Sequence, residues 1–581
     1  MNMADGQTFL KGISVSAGVA CGPAFLVHPV SAEVPSYEIS ADQVDGETAR
    51  LDRALAHAEM QIRELLSGLS DSSGAVGREV LETHLLVLCD HSLLGEVRKR
   101  VRRDLRNVEE VYFKVVEEFA ERLASLEDDL FRERALDFRD VAHRVLRGFA
   151  GTEVEGIHLP ERPCVLVARE LKPSEVAGLD RRNVLGIVTE VGGRTSHAAI
   201  IARSMGIPMV VGVQSVCCGV AEGQMVFLDG ASGEVALEVG ESLLRRVADD
   251  HERSEREREA LDQIRVERAV TRDGFHVVLA ANMETVAEID AVRDSGAEGV
   301  GLFRTEFIYL EKNGLPSEVE QFGIYCSVAD AMHPWPVVLR TLDLGGDKML
   351  DAKIFAEESN PFLGQRALRL CLRHEEMFRE QLRAMVRAAC GRNIRIMFPM
   401  VTTVEEVIAA NRILDSVRKE VGGGEEIEVG AMIEVPAAAL CARRIAREVD
   451  FLSIGTNDLV QYVMAADRLN ESVSHLYQPA HPAVVQLIDQ IASSARSEGI
   501  PVGICGESAG DLVMTPLFLS LGIDELSVGA ALVPRIKKAI RSLDRSECVA
   551  LKERFLMGES QAKILAMSED LARRAYGELI Q

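Results

Sequence analysis

The sequence contains no Cys-x-x-Cys pair, and its eleven cysteines are scattered singly apart from Cys217-Cys218. A zinc site built on paired cysteines is therefore excluded. The odd count argues against a complete disulfide framework, which makes a reducing cytoplasm the simplest setting. No apolar run approaches the ~20 residues that a bilayer-spanning helix needs, so no membrane association is expected. A Gly-x-x-x-x-Gly-Lys loop is also missing, which removes the usual sign of a nucleotide phosphate site. Positive charge is in short supply: 65 Lys and Arg stand against 91 Asp and Glu, for a formal net charge of −26. That balance argues against a nucleic-acid binder and fits a basic protein partner. The apolar stretch from Ile13 to Val27 is not expected to be a signal peptide. Ala20-Cys21 faintly resembles a lipoprotein cleavage site, but Asp5 precedes the stretch, Gly18 stands where such sites prefer leucine, and Pro23 follows.

What is present is ordinary globular material in quantity: 581 residues, 47% hydrophobic and 27% charged, enough for several domains. The chain is organised around Glu190-Val-Gly-Gly-Arg-Thr-Ser-His-Ala-Ala-Ile-Ile-Ala-Arg-Ser-Met-Gly-Ile-Pro208. An apolar run, Val184 to Val188, precedes it and reads as a buried strand. Ala198, Ile201, Ala202 and Met205 then recur at helical spacing. Gly192 and Gly193 permit a sharp turn between the two, and Thr195 or Ser196 can cap the helix. His197 falls at the helix start, where backbone N–H groups favour an anion, with Arg194 before it and Arg203 about two turns after it. Guanidiniums around an imidazole discourage its protonation and stabilise phosphate charge, so this histidine is suited to carry a phosphoryl group. A lone histidine would more often cap or pack. The glycine pair, the hydroxyls and the arginines together favour the carrier. The run Gly-Gly-Arg-Thr-Ser-His resembles the phosphohistidine signature of the phosphoenolpyruvate-utilising enzymes.

Around this stretch the hydrophobic pattern changes several times. Residues 1–25 and about 150–240 carry short strand patterns: the opening stretch Gly12 to Pro23, then Cys164 to Ala168, Val184 to Val188, Met209 to Val211 and Met225 to Leu228. They read as one α/β domain. Residues 35–147 are inserted in it and read as a helical bundle. The bundle opens on a Ser40-Ala-Asp-Gln43 capping box and continues through four amphipathic stretches, around Leu51 to Leu69, Val80 to Leu88, Val108 to Leu123 and Ala135 to Leu146. Residues 241–268 alternate Glu and Arg and read as a solvated connecting helix that could serve as a hinge. From 269 to 581 eight strand patterns alternate with helical ones, which predicts a (β/α)8 TIM barrel.

Polar residues follow the predicted barrel strands in the places where that fold does chemistry: Arg304-Thr-Glu306, Arg340-Thr-Leu-Asp343, Pro399-Met400, Glu434, Asn457-Asp458 and Cys505-Gly-Glu507. Arg304 and Arg340 offer planar forks for phosphate or carboxylate. Gly345-Gly-Asp-Lys348 and Asn360 to Arg366 add a lysine and another arginine, and Asp467-Arg468 follows the sixth strand. Several arginines beside carboxylates suit a small polyanion, although each one alone would more often be an ion pair. Glu434 and Asp458 fit Mg²⁺, with salt bridges to the arginines as the alternative. Cys505 is a candidate acid if an enolate has to be protonated on carbon.

These segments are similar to the Enzyme I branch of the family over almost the whole chain: Gly-Leu-Phe-Arg-Thr-Glu-Phe, Arg-Thr-Leu-Asp-Leu-Gly-Gly-Asp-Lys, Ile-Met-Phe-Pro-Met, Ile-Glu-Val-Pro-Ala-Ala, Ser-Ile-Gly-Thr-Asn-Asp-Leu and His-Leu-Tyr-Gln-Pro. The resemblance implies that Arg304, Arg340, Asn457 and Arg468 bind phosphoenolpyruvate, with Asp458, Lys348 and Arg366 as further substrate contacts. It implies that Glu434 and Asp458 hold Mg²⁺ and that Cys505 donates a proton. It implies that the helical insert docks the phosphocarrier protein HPr around Arg78 to Leu88, and that the barrel forms a homodimer. Gln365 departs from the aromatic residue common in Phe-Leu-Gly-x-Arg. Pyruvate phosphate dikinase and phosphoenolpyruvate synthase carry a nucleotide-binding domain for which this chain has no room. A degenerate scaffold without chemistry is disfavoured by the intact His197, Glu434, Asp458 and Cys505.

Overall fold

The computed structural model describes residues 2–4, 7–27, 34–68, 83–85, 87–124, 138–142, 144–146, 148–149, 162–171, 175–176, 178–180, 182–193, 196–312, 314–345, 360–468, 470, 472–558 and 560–580. The chain divides into two compact units, Met1–Glu255 and Arg256–Gln581. The division falls within one helix, Glu241–Ile264.

The first unit is built on a nine-stranded sheet: β1 (Asn2–Ala4), β2 (Gln7–Lys11), β3 (Ile13–Ser16), β4 (Val19–Val27), β5 (Cys164–Ala168), β6 (Val184–Thr189), β7 (Met209–Val211), β8 (Met225–Asp229) and β9 (Glu234–Ala236). Their order is β1-β2-β9-β8-β4-β5-β6-β7-β3. The opening stretch is two strands rather than one. Gly18, at φ +125, breaks it, and a Cβ there would lie 2.8 Å from the Pro208 ring. The nine residues of β4 then join two kinds of sheet. Val19 to Pro23 pair antiparallel with β8, and Ala24 to Val27 pair parallel with β5. Strands β5 and β6, buried on both faces, show the continuous apolar runs expected of parallel strands.

The helical insert contains Val44–Gly68, His91–Asp104 and Val108–Ala124, together with helical residues at 83–85, 87–88 and 138–149, excluding 86, 143 and 147. The capping box at Ser40 forms as its sequence predicts. Leu51, Ala58, Ile62, Val97, Val101, Val115 and Val145 meet in one buried core. His91–Asp104 is a helix that the sequence reading did not distinguish. Its apolar residues Leu93, Leu94, Val97 and Val101 have the right spacing, but basic residues outnumber them in the second half. The expected docking segment, Arg78 to Leu88, lies largely outside the described residues.

In the second unit, β10 (Val278–Met283), β11 (Val300–Arg304), β12 (Val337–Arg340), β13 (Ile394–Phe398), β14 (Val429–Ile433), β15 (Phe451–Ile454), β16 (Val502–Ile504) and β17 (Glu525–Gly529) form a closed barrel, as predicted. It closes by parallel pairing of β17 with β10. The strand period of two separates two cores. Leu339, Phe398, Ala431, Ile433 and Ile454 pack outward with the surrounding helices, whereas Leu302, Val338, Met397, Met432, Phe451 and Cys505 cluster apart from them. Arg304, Arg340 and Glu434 each come two residues after a member of this second cluster, so the pleat carries them on the same face at the strand ends.

Phe398 is fully buried against Phe378, with ring centroids 6.2 Å apart. Truncating it to alanine is expected to cost about 3–5 kcal/mol. Calorimetry of the full chain should show the barrel transition lowered and that of the N-terminal unit unmoved.

Candidate active site

The N-terminal unit presents the helix His197–Ser204 directly after the Gly192-Gly193 turn, with Gly192 at φ +134. Ser196 is its N-cap: the hydroxyl accepts from the Ala199 N–H at 3.3 Å and donates to the Gly193 carbonyl at 3.1 Å. His197 thus occupies the first helical position, as the sequence predicts. Its side chain, Arg194 and Thr195 lie outside the described residues. Arg203 donates through Nε to the Val15 carbonyl at 2.9 Å, which ties this helix to β3.

The barrel unit holds a cavity of about 100 Å³ lined by Arg304, Arg340, Arg366, Glu434, Asn457, Asp458, Arg468 and Cys505, all named from the sequence. Asp343, Phe362, Glu507, Leu302 and Met432 complete its wall. Lys348 lies outside the described residues. The arginines are held by carboxylates. Arg304 pairs with Glu284, and Arg340 pairs with Glu306 and, at 3.1 Å, with Asp343. Arg366 reaches Asp343 at 3.1 Å and Asp458 at 3.4 Å. Burial works against the charge on Arg340, and Glu306 and Asp343 more than restore it, so its pKa lies above the ordinary value. Asp343 and Asp458 do the same for Arg366. The Nε atoms of Arg340, Arg366 and Arg468 are buried without a hydrogen-bond partner among the described residues.

Glu434 is almost completely buried and accepts the Met400 N–H at 2.6 Å. Met400 presents that N–H from a left-handed backbone, φ +52. Gly455 is required beside it, because a Cβ there would lie 2.4 Å from the Glu434 carboxylate. Desolvation first, then the neighbouring Asp458 and Asp343, push the Glu434 carboxyl up to about 8. A divalent cation between Glu434 and Asp458 would relieve that repulsion, so the donor set fits Mg²⁺ retaining water and substrate oxygens. Among the described residues no group of three or more His, Cys, Asp or Glu could hold a metal by itself. The salt-bridge alternative is realised for Asp458, through Arg366.

Cys505 is buried under the cavity. The Ser453 hydroxyl donates to its sulfur at 3.2 Å, and the thiol lies 3.7 Å from the Ile454 carbonyl. Burial pushes the thiol up to about 11, so at neutral pH it keeps its proton. Asn457 and Glu507 exchange hydrogen bonds at 2.8 and 3.0 Å, joining the ends of β15 and β16.

Comparison with known proteins agrees with this geometry. Residues 258–545 match the family described as PEP-utilising enzyme, PEP-binding domain. Residues 11–134 match the N-terminal domain of the same enzymes, and 160–233 their mobile domain. The phosphoenolpyruvate-protein phosphotransferase of Staphylococcus carnosus is 38% identical over 571 residues, covering 97% of this chain and 99% of its own. That of Bacillus subtilis is 39% identical, with 97% and 99% covered, and that of Listeria monocytogenes is 40% identical, with 96% and 98% covered.

The chain belongs to the phosphoenolpyruvate-protein phosphotransferase family.

Phosphotransfer that depends on phosphoenolpyruvate is therefore its activity. An Enzyme I solution structure matches 42% of the chain at 33% identity, with a TM-score of 0.37. No helix among the described residues is long and apolar enough to cross a membrane. In this phosphotransferase the sequence reading missed the pairing carboxylate Glu284 and the cavity wall at Phe362. It noted Glu306 and Asp343 at strand ends without giving them a role. Their signal was a carboxylate two or three residues after an arginine, in Arg304-Thr-Glu306 and Arg340-Thr-Leu-Asp343.

A carboxyl whose pKa is about 8 in the fold and 4.5 unperturbed lowers stability progressively as pH rises between the two values. Without divalent cations, the thermal midpoint of the wild type should fall from about pH 5 to about pH 9 more steeply than that of Glu434→Gln. Parallel profiles would contradict the assigned burial of charge.

Proposed function

We propose that the enzyme transfers the phosphoryl group of phosphoenolpyruvate to its own His197, releases pyruvate, and passes the group on to a histidine of HPr, opening the sugar phosphotransferase system. The observation that carries this reading is the barrel cavity where carboxylate-held arginines, Arg340 and Arg366 buried among them, meet a protonated thiol. Arg304, Arg340, Arg366 and Arg468 bind the phosphate and carboxylate of the substrate, with Asn457 as a neutral partner and Lys348 as a further contact. Glu434 and Asp458 would hold Mg²⁺, which when bound would supply neutralisation of charge on the transferring group.

A ring nitrogen of neutral His197 forms the bond to phosphorus while the bond from phosphorus to the enol oxygen breaks. The released electron pair makes an enolate. Its methylene carbon takes the Cys505 proton as the carbonyl forms, giving pyruvate and a thiolate. The arginines beside Cys505 and the Ser453 hydroxyl stabilise that thiolate. The capped helix start, with Arg194, Thr195 and Arg203 as supporting residues, holds the phosphorylated His197. One histidine with two destinations requires the first unit to move, and the charged helix Glu241–Ile264 is the element that permits it.

HPr docks on the helical insert, and the net charge of −26 favours a basic carrier. Eleven free cysteines support a cytoplasmic setting, and the family likeness supports a homodimer through the barrel.

Labelling with ³²P-phosphoenolpyruvate, with Mg²⁺ and without ATP, tests the first step. Wild type is expected to take up acid-labile label and His197→Ala none. Equal labelling of both would place the acceptor elsewhere. Cys505→Ala should slow pyruvate formation by about 10²-fold or more, the range for a lost general acid.

A further inference from the structure

The helix Thr456–Met464 carries Asp458 in its first turn and Tyr462 four residues later, on the same side of the helix. Both side chains reach the same nitrogen. Arg366 Nη1 donates to Asp458 at 3.4 Å and to the Tyr462 hydroxyl at 3.3 Å. The same hydroxyl donates to the Phe362 carbonyl at 2.5 Å. Phe362 closes the arrangement, with its ring centroid 5.8 Å from the centre of the Arg366 guanidinium. Gly345 packs under the arginine so tightly that a Cβ would lie 2.5 Å from the Arg366 Cβ.

We propose that Tyr462 is a positioning residue of the barrel site, fastening Arg366 and the segment Asn360–Arg366 to the helix that carries Asn457 and Asp458. Its hydroxyl uses its one donor on the backbone of that segment and accepts from the segment's functional side chain, so a single oxygen fixes both. Asp458 cannot supply this tie alone. A carboxylate that also serves a cation is a shared acceptor, whereas the tyrosine oxygen holds Nη1 whatever Asp458 binds. Asp343 holds the other arm of the guanidinium at 3.1 Å. The tyrosine and the two carboxylates together thus fix the orientation of the Arg366 guanidinium.

The inference rests on Arg366 being a substrate contact, and steady-state kinetics on the full chain separates the two ideas. Tyr462→Phe keeps the ring and removes only the oxygen. It is expected to raise KM for phosphoenolpyruvate about tenfold, the effect of a lost hydrogen bond to a charged group, and to leave kcat within about twofold. Arg366→Lys should raise KM at least as much. The double variant should be no worse than Arg366→Lys, because the tyrosine acts through the arginine. An unchanged KM in Tyr462→Phe, or a double variant whose loss is the product of the two single losses, would overturn the proposal while leaving Arg366 in place. An unchanged KM in Arg366→Lys would remove the arginine's assigned role and the proposal with it.

Discussion

The barrel site depends on one shared carboxylate. Asp343 stands between Arg340 and Arg366 at 3.1 Å from each, and it is the acceptor the two have in common. Arg340 leans also on Glu306, and Arg366 on Asp458. Two buried guanidiniums facing one cavity would repel each other and lose their hydration, a cost of several kcal/mol per ion. The carboxylate between them offsets that repulsion and fixes both forks in the cavity wall. A site for a polyanion needs positive charge that is buried, ionised and oriented before the ligand arrives, and this arrangement provides it.

The same charges govern the other groups. At Glu434 the charges of Asp458 and Asp343 oppose ionisation and those of Arg340 and Arg366 favour it, and burial tips the balance toward its neutral form. Cys505 lies among apolar Leu302, Met432 and Phe451, and burial keeps its proton on as well.

The barrel was legible because its strands are short apolar runs that end in charged residues, a pattern that few architectures besides a β/α barrel repeat so many times. Leu302 to Arg304 and Met432 to Glu434 show it most clearly, the inward step of two turning an apolar floor into a polar rim. The helix around His197 was legible from its glycines and its cap. Other features left weaker traces. His91–Asp104 hides four apolar residues among arginines, and β9 is three residues long. The left-handed Met400 and the tie through Tyr462 are properties of tertiary packing. Nothing in Pro399-Met400 announces a positive φ, and a tyrosine one turn after Asp458 reads as ordinary helix surface.

The most direct test of the account is the affinity of Asp343→Asn for phosphoenolpyruvate, measured calorimetrically on the folded full-length enzyme. If the shared carboxylate orients both arginines, binding should weaken at least about tenfold, the scale of a lost charged hydrogen bond, with the fold retained. Affinity equal to wild type would mean that Arg340 and Arg366 are held without Asp343, and would contradict the central claim.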